Sequence, residues 1–250
     1  MGAKCCAESK QDDVPTAITS DAATKDLPAI DLSGISDRYA KFEAELPFSR
    51  TLVTLMLTKI DEAEKECGDQ GFVTTEALSK QLTTAAWQPL KDPNSSLSKV
   101  LLSPQFKDSE KNQSSEQIDV VWLKVFSLMH CSGKIIDKTN AFYCILQEGG
   151  FEKHEQISAQ DKDFNPVFEK IVKFATVDVF ALAELTGSVS PKIYSEEEEQ
   201  QLVSDELVEG MREDGFLETV FGTSSRISSD AWVQKVLKEA NYLFDATKLR

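Results

Sequence analysis

The stretch LVTLMLTKIDEAEKECGDQGFVTTEAL (residues 52–78) decides the fold of this chain. Its first half repeats at helical spacing, with one face formed by Leu52, Leu55, Met56, Lys59, Ile60 and Ala63. Polar residues then interrupt the period, and Gly71 precedes a short segment that leads into a new apolar run. The pattern therefore predicts two helices joined by a short polar loop.

The same organisation recurs along the rest of the chain, from about Ser36 onwards. Three further helical faces are formed by Val121, Trp122, Val125, Leu128 and Met129, by Phe168, Ile171, Val172, Ala175 and Val179, and by Val233, Val236, Leu237 and Ala240. No run of alternating strand residues has comparable length. The sequence therefore predicts an all-α body, residues 36–250.

The charge balance restricts the function. The 250 residues include 42 acidic and 27 basic side chains, which gives a net charge of −15. Such a surface repels nucleic-acid phosphates and anionic lipid headgroups, so we expect no nucleic-acid partner and no membrane docking through a basic patch. Two classes are left: an interaction domain with solvated helices, or a protein that holds divalent metal with its carboxylates.

The cysteines and the apolar runs indicate a reducing compartment. The longest apolar runs are too short for a membrane span, and MGAKCCAESK (residues 1–10) lacks the apolar core of a secretory signal. The five cysteines are odd in number and have no CxxC spacing, which argues against a disulfide framework or a zinc site. Cys67, Cys131 and Cys144 are expected to be small apolar core residues.

The amino terminus is similar to a lipidation signal. Gly2 becomes terminal once Met1 is removed, and Cys6 stands where the myristoylation pattern has Ser or Thr. Because one myristoyl chain anchors a protein only marginally, palmitoylation of Cys5 and Cys6 would supply the second anchor. We expect the protein at the cytoplasmic face of a membrane, held by these acyl chains; an accidental Met-Gly start with two ordinary cysteines is the alternative.

Residues 1–35 form the predicted acylated tail. Residues 7–30 are rich in Ala, Ser, Thr and Asp and show no period, which is typical of a flexible tether. A tether of this length has a root-mean-square reach of roughly 25–30 Å.

Four polar stretches separate the helices, and each contains a β-branched residue in a similar setting. They read GFVTTEAL (residues 71–78), EQIDVVWL (116–123), EQISAQDKDF (155–164) and SRISSDAW (225–232). In these stretches, and in LMHCSGKIIDKTNAFYCILQEGGFEKHEQI (128–157), the sequence resembles the EF-hand superfamily, in particular the neuronal-calcium-sensor and calcineurin-B-like proteins. The resemblance covers roughly residues 48–245.

The resemblance implies a specific architecture. The expected body has two EF-hand-like lobes, residues 36–132 and 133–250, with four helix–loop–helix units and at most short β pairings between loops. Val73, Ile118, Ile157 and Ile227 would be the eighth residues of their loops, where partner loops pair. Gly71 would be the sixth residue of the first loop, where EF-hand loops have a glycine.

The implied loops are poor in metal ligands. Positions 1, 3, 5, 9 and 12 fall on Glu66, Gly68, Gln70, Thr74 and Ala77; on Lys111, Gln113, Ser115, Asp119 and Trp122; on Gly150, Glu152, His154, Ser158 and Asp161; and on Val220, Gly222, Ser224, Ser228 and Ala231. None has the Glu that calcium needs at position 12. Only the third loop, with Glu152, Asp161 and Asp163, offers a weak calcium site; otherwise we expect no cofactor.

The sequence does not predict an enzyme. His130 stands beside Cys131 and His154 lies in a polar loop, but neither has a nucleophile and an orienting carboxylate at a motif spacing. A helix-end histidine and a buried cysteine explain the first pair.

The functional hypothesis is a membrane-tethered, non-catalytic adaptor or regulatory protein that binds a partner protein or an amphipathic helix. Two alternatives stay open: a functional calcium sensor with weak, non-standard sites, and a purely structural helical component of a larger assembly.

Overall fold

The computed structural model describes residues 36–108, 114–148, 156–159, 164–187 and 209–249, together with residues 195, 197 and 204. Residues Leu32 to Arg250 form one compact unit. The predicted lipidation residues and metal ligands lie outside the described residues: Gly2, Cys5, Cys6, Glu152, Asp161 and Asp163. The described chain is mostly helical, which confirms the helical class predicted from periodicity.

The α-helices are numbered in the order in which they follow one another along the described residues. They are α1 (Ser36–Glu45), α2 (Val53–Glu66), α3 (Thr75–Gln81), α4 (Ser96–Leu101), α5 (Val120–His130), α6 (Ile135–Glu148), α7 (Phe164–Ala175), α8 (Val177–Leu185), α9 (Glu218–Phe221), α10 (Ser229–Glu239) and α11 (Ala246–Leu249). Tighter 3₁₀ turns occupy Pro47–Arg50, Ala85–Lys91, Pro104–Phe106 and Asn241–Phe244, and a π-helical turn spans Met211–Leu217. Among the described residues, no helix is long and apolar enough to cross a bilayer.

Four three-residue strands form two separate antiparallel pairs. They are β1 (Phe72–Thr74), β2 (Gln117–Asp119), β3 (Gln156–Ser158) and β4 (Arg226–Ser228). β1 pairs with β2 and β3 pairs with β4. The predicted short pairings between loops are thus confirmed.

The core contains two aromatic clusters, and the first joins α5 to α7. Phe126 of α5 packs against Phe48, Phe106 and Phe174, with ring centroids 5.0 to 5.2 Å apart. Trp87 closes the cluster against Phe48 at 4.9 Å. Edge-on contacts of this kind add to the free energy of burying the rings, so the first cluster ties together segments that are distant in sequence.

The second cluster surrounds Trp232 of α10. Its indole packs against Phe142 of α6 at 5.4 Å and against Phe216 at 5.8 Å, and Phe244 contacts Phe142 at 5.8 Å. The Trp232 Nε1–H donates to the carbonyl of Thr139 at 3.3 Å, so the buried indole has its polar partner.

The start of α2 is joined to the turn before α6. Val53 N–H donates to the Ser132 carbonyl at 2.8 Å, and Ser132 N–H donates to the Thr51 carbonyl at 3.0 Å. Gly133 allows this approach, because a Cβ there would lie 2.9 Å from Val53 Cγ1 and its φ of +150° disfavours other residues. The first turns of α2 and α6 therefore lie side by side.

Two predictions of burial were wrong. Leu52 and Leu55 were expected on the inward face of α2, but they are 56% and 48% exposed. Val53 is buried in their place, because the bridge to Ser132 turns its side chain inward. Among the described cysteines only Cys131 is a core residue; Cys67 is half-buried and Cys144 is exposed, on the outer face of α6.

Candidate functional site

The paired strands bring together the residues that the sequence singled out. Val73 lies opposite Ile118 in the first pair, and Ile157 lies opposite Ile227 in the second. All four side chains are buried. The residues assigned to the eighth loop position are therefore the central partners of each pair.

Three of the loops lead directly into a capped helix. A side-chain oxygen at loop position 9 accepts a hydrogen bond from the backbone N–H at position 12: Thr74 from Ala77 at 3.2 Å, Asp119 from Trp122 at 3.1 Å and Ser228 from Ala231 at 3.5 Å. An N-cap satisfies one of the free N–H groups of the first turn. In these loops the position-9 oxygen stabilises the following helix without a metal ion.

The first loop is held by a carboxylate of the preceding helix. Gly68, Asp69 and Gly71 have positive φ values of 89°, 53° and 76°. Glu64 Oε1 accepts a hydrogen bond from Gly71 N–H at 3.1 Å. Burial raises the pKa of Glu64, and the nearby Lys124 opposes that rise.

Lys124 supplies the positive charge beside this loop. It lies on α5 and is buried, and its Nζ is 2.7 Å from Asp61 Oδ1 on α2. A buried ammonium is retained only with a compensating partner, because its desolvation is costly. The acids at the end of α2 therefore face a lysine of the same chain.

The second loop accepts hydrogen bonds from another lysine. Lys107 Nζ donates to the carbonyl oxygens of Ser114 at 3.3 Å and Ser115 at 3.1 Å, and also to that of Gln117. Ser115 and Gln117 hold positions 5 and 7, and position 7 binds calcium through its carbonyl in EF-hand loops. Lys107 thus gathers carbonyl oxygens as a bound cation would, and burial lowers the pKa of its ammonium.

Lys107 is a residue of the site that the sequence did not predict. It directly follows Phe106, the last apolar residue before the second loop and a residue with no exposed surface. A lysine at the mouth of a ligand-poor loop was the available signal, but its hydrogen-bond partners depend on how the loop closes.

The second pair of loops is partly described. Ala159 N–H donates to the Ser225 carbonyl at 3.2 Å, which extends the β3–β4 contact, and Gly222 has a φ of 58° at the end of α9. Among the residues that the structure describes, no group of three or more His, Cys, Asp or Glu side chains could hold a metal ion.

His130 and Cys131 have the structural features that the sequence predicted. His130 is the last residue of α5; its ring lies 4.1 Å from that of Phe126, and its Nδ1 is 3.7 Å from Glu43 Oε1. Cys131 is buried, and burial raises the pKa of its thiol to about 12. Because the thiolate is the nucleophile, we expect this cysteine to react slowly at neutral pH.

A cleft of about 310 Å³ lies between Pro104–Phe106 and the α7–α8 turn. It is lined by Pro104, Gln105, Lys170, Lys173, Val177 and Asp178. Lys170 pairs with Asp178 at 3.0 Å, and Lys173 pairs with Glu169. The two cations of the cleft are therefore neutralised by carboxylates of α7 and α8.

Comparison with known proteins does not assign the chain to a family: no family model matches it, and no curated protein or solved structure is significantly similar. The geometry of the paired loops is therefore the basis for a proposed function.

Proposed function

We propose that this chain is an EF-hand-like, non-catalytic adaptor whose two lobes, residues 36–132 and 133–250, keep their paired loops without bound calcium. The observation that carries the proposal is the register of the two strand pairs. Val73 pairs with Ile118 and Ile157 pairs with Ile227, which is the pairing expected for eighth residues of partner loops. A chance arrangement of helices has no reason to align these four positions.

Lys107 supports the ion-free form of this proposal. Its ammonium already donates hydrogen bonds to carbonyl oxygens of the second loop. Calcium would have to displace that ammonium, and it would find Trp122 at position 12 instead of a bidentate Glu. In the first loop, position 12 is Ala77. Both loops of the first pair are therefore organised by side chains of the protein itself.

The proposed partner is a protein, bound through an amphipathic helix as in other paired helix–loop–helix lobes. A chain with a net charge of −15 disfavours nucleic acid. The proposed anchor is the acylated tail, with myristate on Gly2 and palmitate on Cys5 and Cys6, which would place the adaptor at the cytoplasmic face of a membrane.

Calcium-dependent melting tests the ion-free proposal. A ligand that binds only the native state must raise the melting temperature. We expect equal melting temperatures in millimolar calcium and in excess chelator, measured by circular dichroism. A higher melting temperature in calcium would instead favour the calcium-sensor alternative. If Glu152→Gln combined with Asp161→Asn then removed that response, the third loop would be the site.

Membrane fractionation tests the anchor. In cells, we expect Gly2→Ala to release the protein from membranes and to abolish labelling by a myristate analogue. Cys5→Ser combined with Cys6→Ser is expected to weaken attachment and abolish palmitate labelling, with Cys144→Ser as the matched control. Unchanged fractionation of all variants would contradict the anchor and favour a structural component of an assembly. Partner capture from membranes with and without calcium then tests the adaptor role directly.

A further inference from the structure

The first turns of α2 and α6 form an exposed apolar corner. It consists of Arg50, Leu52, Leu55, Lys134, Ile135 and Ile136, which we call the α2–α6 corner. The four aliphatic side chains are 56%, 48%, 37% and 43% exposed, in chain order. Leu52 and Leu55 were expected to be covered, since large aliphatic side chains that follow a helical period are usually buried.

The position of the α2–α6 corner is fixed by the fold. Leu52 and Ser132 form a parallel β-bridge, with hydrogen bonds of 2.8 and 3.0 Å on either side of Leu52. Ser132 Oγ also donates to the Thr51 carbonyl at 3.0 Å. These bonds hold the first turn of α6 against the first turn of α2, so the four aliphatic side chains belong to one surface.

The charge of the corner is opposite to that of the whole chain. Arg50 and Lys134 are both exposed, and neither has an ion-pair partner among the described residues. The neighbouring exposed side chains on α2 are the uncharged Thr54 and Thr58. The first turn of α6 also carries Asp137, which is half-buried. Charges beyond a Debye length of about 8 Å are largely screened at physiological ionic strength, so a surface that touches the corner meets two exposed cations and this one carboxylate.

We propose that the α2–α6 corner is a membrane-contact surface for an anionic bilayer. Protein surfaces that lie in the lipid interface often combine aliphatic side chains with flanking Arg and Lys. The aliphatic groups enter the bilayer and the cations reach the lipid headgroups. Protein-interface hot spots are rich in Trp, Tyr and Arg; the corner has Arg50 but no aromatic anchor. A second copy of the chain is disfavoured, because a two-fold contact would bring the same two cations together.

This proposal deepens the membrane attachment proposed above, and it revises the expectation that the body stays away from anionic lipid. The acyl chains would bring the protein to the bilayer, and the corner would orient the body on it. The contributions of the acyl chains and of the corner to membrane binding can be measured separately, because a chain that carries no acyl group still has the corner.

The test uses the full 250-residue chain, produced without acyltransferases, in co-sedimentation with phosphatidylcholine vesicles containing about one-third phosphatidylserine. We expect Leu55→Ser combined with Ile136→Ser to lower the partition coefficient about tenfold. Leu185→Ser is the matched control, because Leu185 is 45% exposed at the end of α8, outside the corner. Melting temperatures should be unchanged in all variants, since the altered side chains are exposed.

Variants of the charged residues form the second part of the vesicle-binding experiment. Arg50→Gln combined with Lys134→Gln is expected to weaken binding to the anionic vesicles about fivefold for each cation, and to leave binding to pure phosphatidylcholine unchanged. Lys91→Gln combined with Lys99→Gln, two exposed lysines elsewhere, is the control. No vesicle binding by the unaltered chain, or equal losses in corner and control variants, would overturn the proposal. Neither result would bear on the acyl anchor, which fractionation of Gly2→Ala measures separately.

Discussion

The ammonium of Lys107 donates a hydrogen bond to the carbonyl oxygen of Gln117, the residue directly before Ile118 in strand β2. This contact joins the start of the second loop to the strand that ends it. Since Ile118 pairs with Val73, Lys107 supports the pairing of the first two loops as well as the shape of its own loop.

Removal of the Lys107 ammonium should destabilise the fold. Lys107→Met keeps most of the aliphatic stem but removes the donor to the carbonyl oxygens of Ser115 and Gln117, while that of Ser114 still accepts from Gln117 N–H. We expect a loss of about 1–3 kcal/mol in the free energy of unfolding, measured with urea. Lys99→Met, at an exposed position of α4, is the control. Equal stability of the two variants would show that the Lys107 contacts contribute nothing.

The strand register predicts an energetic coupling between Val73 and Ile118. Because the two buried side chains face each other, the effects of Val73→Ala and Ile118→Ala should not add. A double-mutant cycle in urea is expected to give a coupling of about 1 kcal/mol. The pair Val73 and Ile227, which belong to different sheets, should be additive. Additivity in both cycles would contradict the register.

The cap of α5 predicts a difference between two substitutions of Asp119. Asp119→Ala removes the acceptor for Trp122 N–H and should cost about 0.5–2 kcal/mol. Asp119→Asn keeps a side-chain oxygen at the same place and should recover most of that loss. The measurement is the free energy of unfolding at neutral pH. If the two variants are equally destabilised, the carboxylate acts through its charge and not as a cap.

Glu64 predicts a dependence of stability on pH. Burial raises its pKa above the ordinary value of 4.5 in the folded chain. The folded state therefore holds the proton more tightly than the unfolded state, so the contribution of Glu64 is fully present below that value and is lost as the pH rises through the folded pKa. Glu64→Gln keeps an oxygen for Gly71 N–H and does not titrate.

Urea unfolding of the wild type and Glu64→Gln between about pH 4 and 7 measures this contribution. The stability of the wild type relative to the variant should fall as the pH rises. A relative stability that rises with pH would mean that the attraction of Lys124 outweighs burial.

Alkylation distinguishes the cysteines. With its thiol pKa at about 12 and its side chain buried, Cys131 should resist iodoacetamide in the native protein at neutral pH. Cys144 is exposed and serves as the internal control. Peptide mass spectrometry should find native labelling at Cys144 and labelling at Cys131 only after unfolding. Rapid native labelling of Cys131 would reopen the hypothesis of a reactive cysteine beside His130.

Much of the secondary structure could be predicted because it depends on neighbouring residues. The apolar period of Phe168 to Ala175 matches the buried face of α7, and Val179, which the period placed on the same helix, is buried on α8. The polar loops that end in a β-branched residue and a capping side chain mark both the strands and the helix starts that follow them. The partners of the strands could be predicted only through the EF-hand resemblance, which assigned Val73, Ile118, Ile157 and Ile227 to equivalent positions.

The sequence by itself therefore determined the helical class and, through the resemblance, the residues at the centre of each strand pair, since apolar spacing acts within a few residues. Only the tertiary structure decided which apolar faces are covered and what each lysine contacts. Leu52 and Leu55 follow the helical period but are exposed, because the bridge at Ser132 directs Val53 inward. The place of Lys107 beside its loop is visible in the sequence, but the contacts of Lys107 and Lys124 are not, because their partners become neighbours only when the loop closes and α5 packs against α2.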